Sequence, residues 1–305
     1  MKKILLFSFL LTIIPFSVIY LLVKDTVTKD FKFNKNTMVR VYVTKEDKII
    51  KVPLEEYVVG VVSGEMPVSF KEEALKAQAV AARSYITYKI VNNKKSKKYD
   101  VVDTVLNQVY VDRSTLKKKW GKNYDKNIAK VEEAVYSTSY EYITYNNKIA
   151  DALFFSTSGG YTENSEEVFT SKIHYLQSVK SDWDKISPVF REQNMYSKSD
   201  FCKKLQLECG NTIKINVTNK TTGGRINKII INNKEFTGTE IVKLLGIRSS
   251  NFTIDVADNI YVTTHGYGHG VGMSQYGAEG MARAGYKYDE ILKYYYKDVK
   301  IEKIK

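Results

Sequence analysis

The run Ser63-Gly64-Glu65-Met66-Pro67 sets a carboxylic acid between a glycine and a proline, where two segments of helical periodicity meet. On its N-terminal side, Pro53 suits the first turn of a helix, where a missing N–H costs little. Leu54, Tyr57, Val58, Val61 and Val62 then recur at the spacing of one buried helical face. Gly64 is expected to end that helix in a left-handed conformation. On the C-terminal side a second helix is expected from about Pro67 or Lys71 to Val91. Leu75, Ala79, Ala82, Ile86 and Ile90 form one apolar stripe, and Phe70, Ala74, Ala77, Ala81, Tyr85 and Tyr88 another beside it. Together they cover more than half the circumference, so this helix should be largely buried, and its alanines permit close packing. Gln78 and Arg83 interrupt the stripes; they are either solvated or line the same groove as Glu65. A break of this kind leaves the Glu65 side chain room to face a groove and makes it the candidate general acid.

Outward from this pair, Val39, Val41 and Val43 alternate with polar residues and Ile49, Ile50 and Val52 return, a β-hairpin around the turn Thr44–Lys48. Residues 92 to 125 read as loop, with a strand signal in Val109-Tyr110-Val111. Asn127 to Thr138 has helical spacing. Strands are expected over Tyr140–Tyr145 and Ile149–Phe155, joined by Asn146-Asn147. Residues 164 to about 210 look irregular; Tyr175, Trp183, Phe190 and Tyr196 there either fill small cores or stack on sugar rings. Strands resume at Ile213–Val217 and Ile226–Ile231. Thr237-x-x-Glu240 matches a capping box for a short helix that Gly246 closes. Phe252–Val256 and Tyr261–Thr263 make a further hairpin, and the last helices carry Met281, Ile291, Leu292 and Tyr294 to Tyr296. Strands and helices mix without βαβ alternation, which predicts an α+β class: antiparallel strands and helices forming a grooved region.

Ile4 to Val23 is twenty residues without a charge, which as a helix spans roughly 30 Å, the thickness of a bilayer's hydrocarbon core. Lys2 and Lys3 favour a cytoplasmic N-terminus, blurred by Lys24 and Lys29. No small-x-small cleavage site precedes Lys24, so an uncleaved anchor is expected over a signal peptide. Pro15 would kink the span without preventing it. The expected organisation is an anchor in residues 1–24, a polar tether in 25–37 and an extracytoplasmic region in 38–305, with a subdomain around 165–260. The net charge of +13 suits lipid headgroups or acidic wall polymers, or is simply a solvated basic surface. The lysines are dispersed, and the one dense run, Lys94 to Lys98, reads as an exposed loop; nucleic acid is not the expected partner. Cys202 and Cys209 are close enough to form a local disulfide or remain free thiols, and neither sits beside a histidine.

No G-x-S-x-G elbow, H-E-x-x-H helix or Walker loop occurs. His265 and His269 are four apart, but without helical context or a nearby cysteine or carboxylate they do not read as metal ligands. Gly266, Gly268, Gly270 and Gly272 instead let their loop approach a ligand or another backbone closely, with His269 supplying a hydrogen bond. Ser156 and Ser158 lack an assignable base and read as hydroxyl donors or turn residues. What remains is Glu65 in a polar, glycine-lined groove, or else an ordinary glutamate at a helix start. Glycoside hydrolysis normally takes two carboxylates. One suffices where the substrate carries its own nucleophile, as when the C6 hydroxyl of muramic acid attacks C1 once the glycosidic oxygen is protonated. Burial beside Met66 and Pro67 would raise the pKa of Glu65, and a helix starting at Pro67 would lower it. Gln78, Arg83, Ser156, Ser158, Tyr161, Glu163, His269, Ser274 and Gln275 are the candidate groove contacts.

Four long motifs, Val52–Pro67, Glu73–Tyr85, Phe155–Asn164 and Gly266–Ala278, closely resemble those of the stage II sporulation protein D family, in the same order. The resemblance implies a lytic transglycosylase acting on peptidoglycan during forespore engulfment, on glycan strands stripped of stem peptides. It implies a complex with stage II sporulation protein P, an amidase, and stage II sporulation protein M, at the engulfing mother-cell membrane. The family's acid is the Glu of its Glu-Met-Pro motif, here Glu65. Some relatives resemble zinc proteins, with Cys and His just ahead of a Gln-Val-Tyr sequence. Here Gln108-Val109-Tyr110 is present but Val101 to Asn107 holds neither, so no metal or other cofactor is expected. The rival readings are a non-catalytic glycan binder that recruits or activates a wall amidase, and a metal-dependent wall hydrolase.

Overall fold

The computed structural model describes residues 37–92, 98–208, 210 and 212–303. The expected anchor, all of the tether but Thr37, and most of the Lys94–Lys98 run lie outside the described residues. No helix among the described residues is long and apolar enough to cross a membrane.

Strands β1 (Met38–Val43) and β2 (Lys48–Pro53) form the expected antiparallel hairpin, with Val39 and Val41 turned into the core. Helix α1 (Leu54–Glu65) follows directly and buries Leu54, Tyr57, Val58, Val61 and Val62. It does not stop at Gly64 in a left-handed turn. The helix runs through Gly64, ends at Glu65, and turns extended at Met66 (φ −119°, ψ 145°). Gly64 is required for another reason: a Cβ there would sit 2.5 Å from the Val109 carbonyl oxygen. Pro67 lies in a turn closed by the Phe70 N–H on its carbonyl (3.0 Å). Helix α2 (Glu72–Asn92) begins only after that turn and is buried from Ala74 to Thr87 except at Lys76.

Arg83 belongs to the core of α2, not to the groove. Its guanidinium forks onto the Glu55 carboxylate (2.9 and 2.7 Å) and donates to the carbonyls of Val135 (3.0 Å) and Glu141 (3.3 Å). A fully buried arginine is tolerable only with its charge paired and its donors spent, and here both hold.

Past α2, strand β3 (Val101–Val102) pairs in parallel with β1. The strand signal at 109–111 does not become a ladder; the segment crosses α1 instead, Val111 N–H reaching the Gly60 carbonyl (3.3 Å). Helix α3 (Arg113–Trp120), in a stretch expected to be loop, is capped by Asp112, which accepts from Thr115 N–H (3.0 Å). Its lysines hide any periodicity, and Leu116 alone is buried. Helix α4 (Tyr124–Ser137) packs Ile128, Val131, Ala134 and Val135 inward as expected. Strands β4 (Glu141–Tyr145) and β5 (Lys148–Ile149) turn at Asn146-Asn147, both at positive φ. The strand expected to continue from Ile149 breaks, and β6 is only Phe154–Phe155.

The irregular stretch contains helix α5 (Ser165–Phe169), a 3-10 helix over Asp182–Ile186, β7 (Arg191–Tyr196) and helix α6 (Lys198–Leu205). Strands β8 (Ile215–Lys220), β9 (Ile226–Ile231) and β10 (Lys234–Thr237) form an antiparallel sheet. Helix α7 (Gly238–Leu245) carries the full capping box between Thr237 and Glu240 and ends at left-handed Gly246. Strand β12 (Ile260–His265) pairs with both β11 (Phe252–Val256) and β7. These elements share an apolar cluster of their own, including Phe201, Leu205, Ile229, Phe236, Ile241 and Val262. Cys202, buried within it, is disulfide-bonded; Cys209 lies outside the described residues. Strand β13 (Met273–Ser274) pairs with β6, helices α8 (Gln275–Arg283) and α9 (Tyr288–Tyr295) follow, and β14 (Lys300–Lys303) closes on β4. The class is mixed α+β with mainly antiparallel sheets.

Arg83→Ala is expected to destabilise the protein by about 3 kcal/mol, the low end for a broken buried pair, because the Glu55 side chain keeps 23% exposure. Arg83→Lys should restore only part, since an ammonium cannot fork. The shift in urea midpoint, with Glu65→Gln as a control, measures both.

Candidate active site

Three pieces of chain converge on Glu65. The last turn of α1 presents the side chain, and the Val109 N–H donates to Oε1 (2.7 Å). From the other side Gln275 Nε2 donates to Oε2 (3.1 Å) and lies 3.5 Å from Gln78 Oε1. The crossing segment is held independently of Glu65: Gln108, fully buried, accepts from the Tyr57 hydroxyl (3.0 Å) and donates to the Ala82 carbonyl (3.4 Å). Tyr110 stacks on Tyr57, ring centroids 5.4 Å apart. Gly60 makes room for that ring, since a Cβ there would come within 2.5 Å of it.

Gln275 is placed just as firmly. It is the first residue of α8, whose N-cap Ser274 accepts from Gly277 N–H (3.3 Å). One turn on, Glu279 Oε2 accepts the Lys71 N–H (2.6 Å) and docks α8 against the start of α2. The Ser274 hydroxyl donates to Asp184 of the 3-10 helix. Asp184 also accepts from Ser158 N–H (2.8 Å), the Ser158 hydroxyl (2.9 Å) and the Ser181 hydroxyl (2.5 Å).

Burial pushes the Glu65 pKa above the ordinary carboxyl value, against the Val109 N–H and Gln275, which favour the charged form. Its place at the C-terminal, negative end of α1 acts in the same direction as burial. With no helix beginning at Pro67, the opposing dipole entertained from sequence is absent. The site thus offers a carboxyl that gains a proton more readily than a solvated one, with two donors waiting for its ionised form.

Among the sequence-derived candidates, Gln275 meets Glu65, and Gln78 reaches Gln275 rather than the acid itself. Ser274 and Ser158 stand behind it, their hydroxyls committed to Asp184. Ser156 accepts Tyr276 N–H on its carbonyl (3.0 Å), fastening the serine loop to α8. Tyr161 is exposed. Glu163 is buried 3.4 Å from Arg225, and its backbone N–H bonds the Gly270 carbonyl (2.7 Å). The glycine-rich loop does approach a backbone closely. All four glycines have positive φ, and a Cβ on Gly272 would lie 2.0 Å from the Leu153 carbonyl oxygen. Thr157 and Tyr267 exchange backbone bonds (3.0 and 2.7 Å), joining the serine and glycine loops. Burial, with the Arg225 charge, pushes His269 down to about 4, so it is neutral. Val271 N–H donates to its Nδ1 (3.1 Å), which leaves the proton on Nε2 for the Phe154 carbonyl (3.0 Å). Both ring nitrogens are engaged within the protein. Asp184 and Gln108 escaped the sequence reading; a lone acid in a polar stretch, and a glutamine in a presumed loop, give no periodic signal.

A single proton-accepting carboxyl, set where two helices and a crossing strand-like segment meet in an α+β scaffold, defines the class of the molecule. The family model described as Stage II sporulation protein matches residues 42–145. Stage II sporulation protein D of Bacillus subtilis (strain 168) is 46% identical over 266 residues, covering 86% of this chain and 78% of that protein. The protein of the same name from Bacillus amyloliquefaciens is 46% identical over 268 residues, with the same coverage. Amidase enhancer of Bacillus subtilis (strain 168) is 29% identical over 293 residues, covering 78% of this chain but 39% of that protein. The chain belongs to the stage II sporulation protein D family.

Gly64→Ala drives the Val109 carbonyl away and with it the adjoining N–H. Loss of a donor to the carboxylate raises a pKa, so Glu65 should titrate at higher pH in Gly64→Ala, and likewise in Gln275→Leu. Carboxyl 13C titration by NMR, assigned with Glu65→Gln, reads the shift; unchanged midpoints would mean that neither donor holds the ionised form.

Proposed function

We propose that this protein is a membrane-anchored lytic transglycosylase that cleaves peptidoglycan strands, by preference those stripped of stem peptides, during sporulation engulfment. The observation that carries the reading is the Glu65 environment: a carboxyl pushed toward its protonated form by burial, yet supplied with donors for the ionised one. Protonated Glu65 gives its proton to the oxygen linking muramic acid C1 to the next sugar, and the C1–O bond breaks. The substrate's own C6 hydroxyl bonds to C1 and releases its proton to the Glu65 carboxylate. The products are a 1,6-anhydromuramoyl end and a free 4-hydroxyl, the acid is regenerated, and no water is consumed. Val109 N–H and Gln275 stabilise the carboxylate between the two transfers. The groups holding Glu65 are an amide N–H and a carboxamide, not a second carboxylate, which suits self-attack by the sugar better than activation of water.

An anchor in residues 1–24 would set the described region on the outer side of the membrane, where this substrate lies. The proposed partners are stage II sporulation proteins P and M, the amidase P supplying peptide-free strands. The likeness to a protein named amidase enhancer favours a second reading, in which the chain binds glycan and activates an amidase without cleaving.

Incubation of the full-length chain with peptide-free strands, read by mass spectrometry for anhydro ends, separates the two. Glu65→Gln should lower their release by about 10²-fold or more, the usual worth of a general acid–base group. Binding without products in the native protein would leave the amidase-activating role. The rate should fall as pH rises through the Glu65 pKa, because only the protonated form donates. A raised folded-state pKa favours the fold below the unfolded value, and that contribution fades as pH rises through the folded value. Glu65→Gln removes the burial penalty of the charge, so its melting temperature at neutral pH should equal or exceed that of the native protein. A substantial drop would make Glu65 a structural residue.

A further inference from the structure

One face of α2 continues past Glu65 into a second feature. Gln78, Tyr85 and Lys89 are seven and eleven residues apart, within about 20° of one helical line, and the run from Gln78 to Lys89 covers about 16 Å. Beyond Gln78 this face opens into a cleft of about 420 Å³, within the range of small-ligand sites. Tyr85 and Lys89 line it from α2. Leu106 rims it from the loop after β3, Phe169 ends α5 beside it, and Asp151 lies at its base.

Asp151 is 8% exposed, and Lys89 Nζ is 3.3 Å from its Oδ2, but its Oδ1 has no hydrogen-bond partner. A buried carboxylate oxygen without a donor is unfavourable in an empty protein and is met most simply by a donor that arrives from outside. Lys89 is itself fixed, its ammonium 4.7 Å from the centre of the Tyr85 ring, and it has donors to spare. At the rim, Val105 and Leu106 are 86% and 81% exposed, adjacent apolar side chains held in water. The cleft adjoins the acid through the Tyr85 hydroxyl, which accepts from Asn107 (2.9 Å), two residues before the Val109 that holds Glu65. Burial, with both the Asp151 and Glu65 charges within reach, pushes Tyr85 up to about 12.

We propose that this cleft is a saccharide subsite next to Glu65, in which Lys89 and Asp151 hydrogen-bond the hydroxyls of one sugar residue and Leu106 and Phe169 cover its apolar face. A lysine–carboxylate pair has no net charge to attract an ion: an anion would meet Asp151 and a cation Lys89. A neutral ring with hydroxyls at its edge and C–H groups on its faces satisfies both walls. The proposal rests on the wall-glycan reading above, deepening it from one acid to an extended groove.

The test uses the full-length chain with Glu65→Gln, so that nothing turns over, titrated with peptide-free glycan strands and separately with neutral β-1,4-linked N-acetylglucosamine oligomers. Asp151→Asn and Leu106→Ser are each expected to weaken binding of both probes by about tenfold, the usual effect of losing a charged hydrogen bond or an apolar wall. With Glu65 intact, both should raise KM far more than they lower kcat. Leu106 is on the rim, so Leu106→Ser cannot act by unfolding the core. Unchanged affinity in both variants overturns the subsite, even if native protein makes anhydro ends and Glu65→Gln does not. Weakened binding in the variants, with no anhydro ends from native protein, supports the subsite and overturns the catalytic reading instead.

Discussion

The hydrogen bond from Val109 N–H to Glu65 exists only because α1 carries two glycines one turn apart. Gly60 and Gly64 form a shallow trough on the helix, and residues 108–111 lie across it. A side chain at either position would strike a ring or a carbonyl, and the segment would lift. Gln108 clamps the segment from below through Tyr57 and Ala82, so the N–H is aimed at the carboxylate whether or not a proton is present. That is preorganisation: the donor's position is set by core packing and does not depend on the charge of the carboxyl. The conflict at Glu65, burial against two donors, is then resolved by magnitude. Burial outweighs the Val109 N–H and the Gln275 amide together, so the net direction is upward.

Asp184 shows why burial alone does not leave a carboxyl open to a ligand. It too is pushed up by burial. Yet it accepts four hydrogen bonds, from Ser158 twice, Ser181 and Ser274, which close its own turn and tie it to the serine loop and to the start of α8. Its capacity is spent on protein donors, which leaves it a fastener. Glu65 has fewer donors and one open side. The two acids are nevertheless linked, since Asp184 fixes Ser274, Ser274 caps α8, and Gln275 opens α8 against Glu65. The serine-rich and glycine-rich motifs therefore act on the site through position.

The helices and hairpins with strong periodicity were legible in the sequence: α1, most of α2, α4, the β1–β2 and β11–β12 hairpins, and the capping box of α7. Glu65 was legible from its glycine and proline neighbours. What escaped had no local signal. Strand β7, Arg-Glu-Gln-Asn-Met-Tyr, is polar over its first four residues and is a strand because β12 offers it a ladder. Helix α3 rests on an aspartate cap and one buried leucine. Gly64 looked like a helix stop because a glycine's conformational freedom is visible in sequence, whereas a carbonyl arriving from Val109, 45 residues away, is not.

Helix α2 shows how far spacing carries the argument. Gln78 and Arg83 both interrupt its apolar stripes, but five residues turn a helix by about 140°, so they cannot share a groove. Arg83 faces Glu55 and the core; Gln78 faces Gln275, the residue that donates to Glu65. Tyr85 and Lys89 return to the Gln78 side, one at the boundary between the two carboxylates and the other paired with Asp151. A single alanine-rich helix thus fixes the distance between Gln78, beside Gln275, and the cleft, and its close packing on its neighbours keeps that distance from drifting. Under the proposed subsite, a groove lined along one helix face would hold a linear polymer in a set register relative to Glu65, which a groove assembled from separate loops would not do.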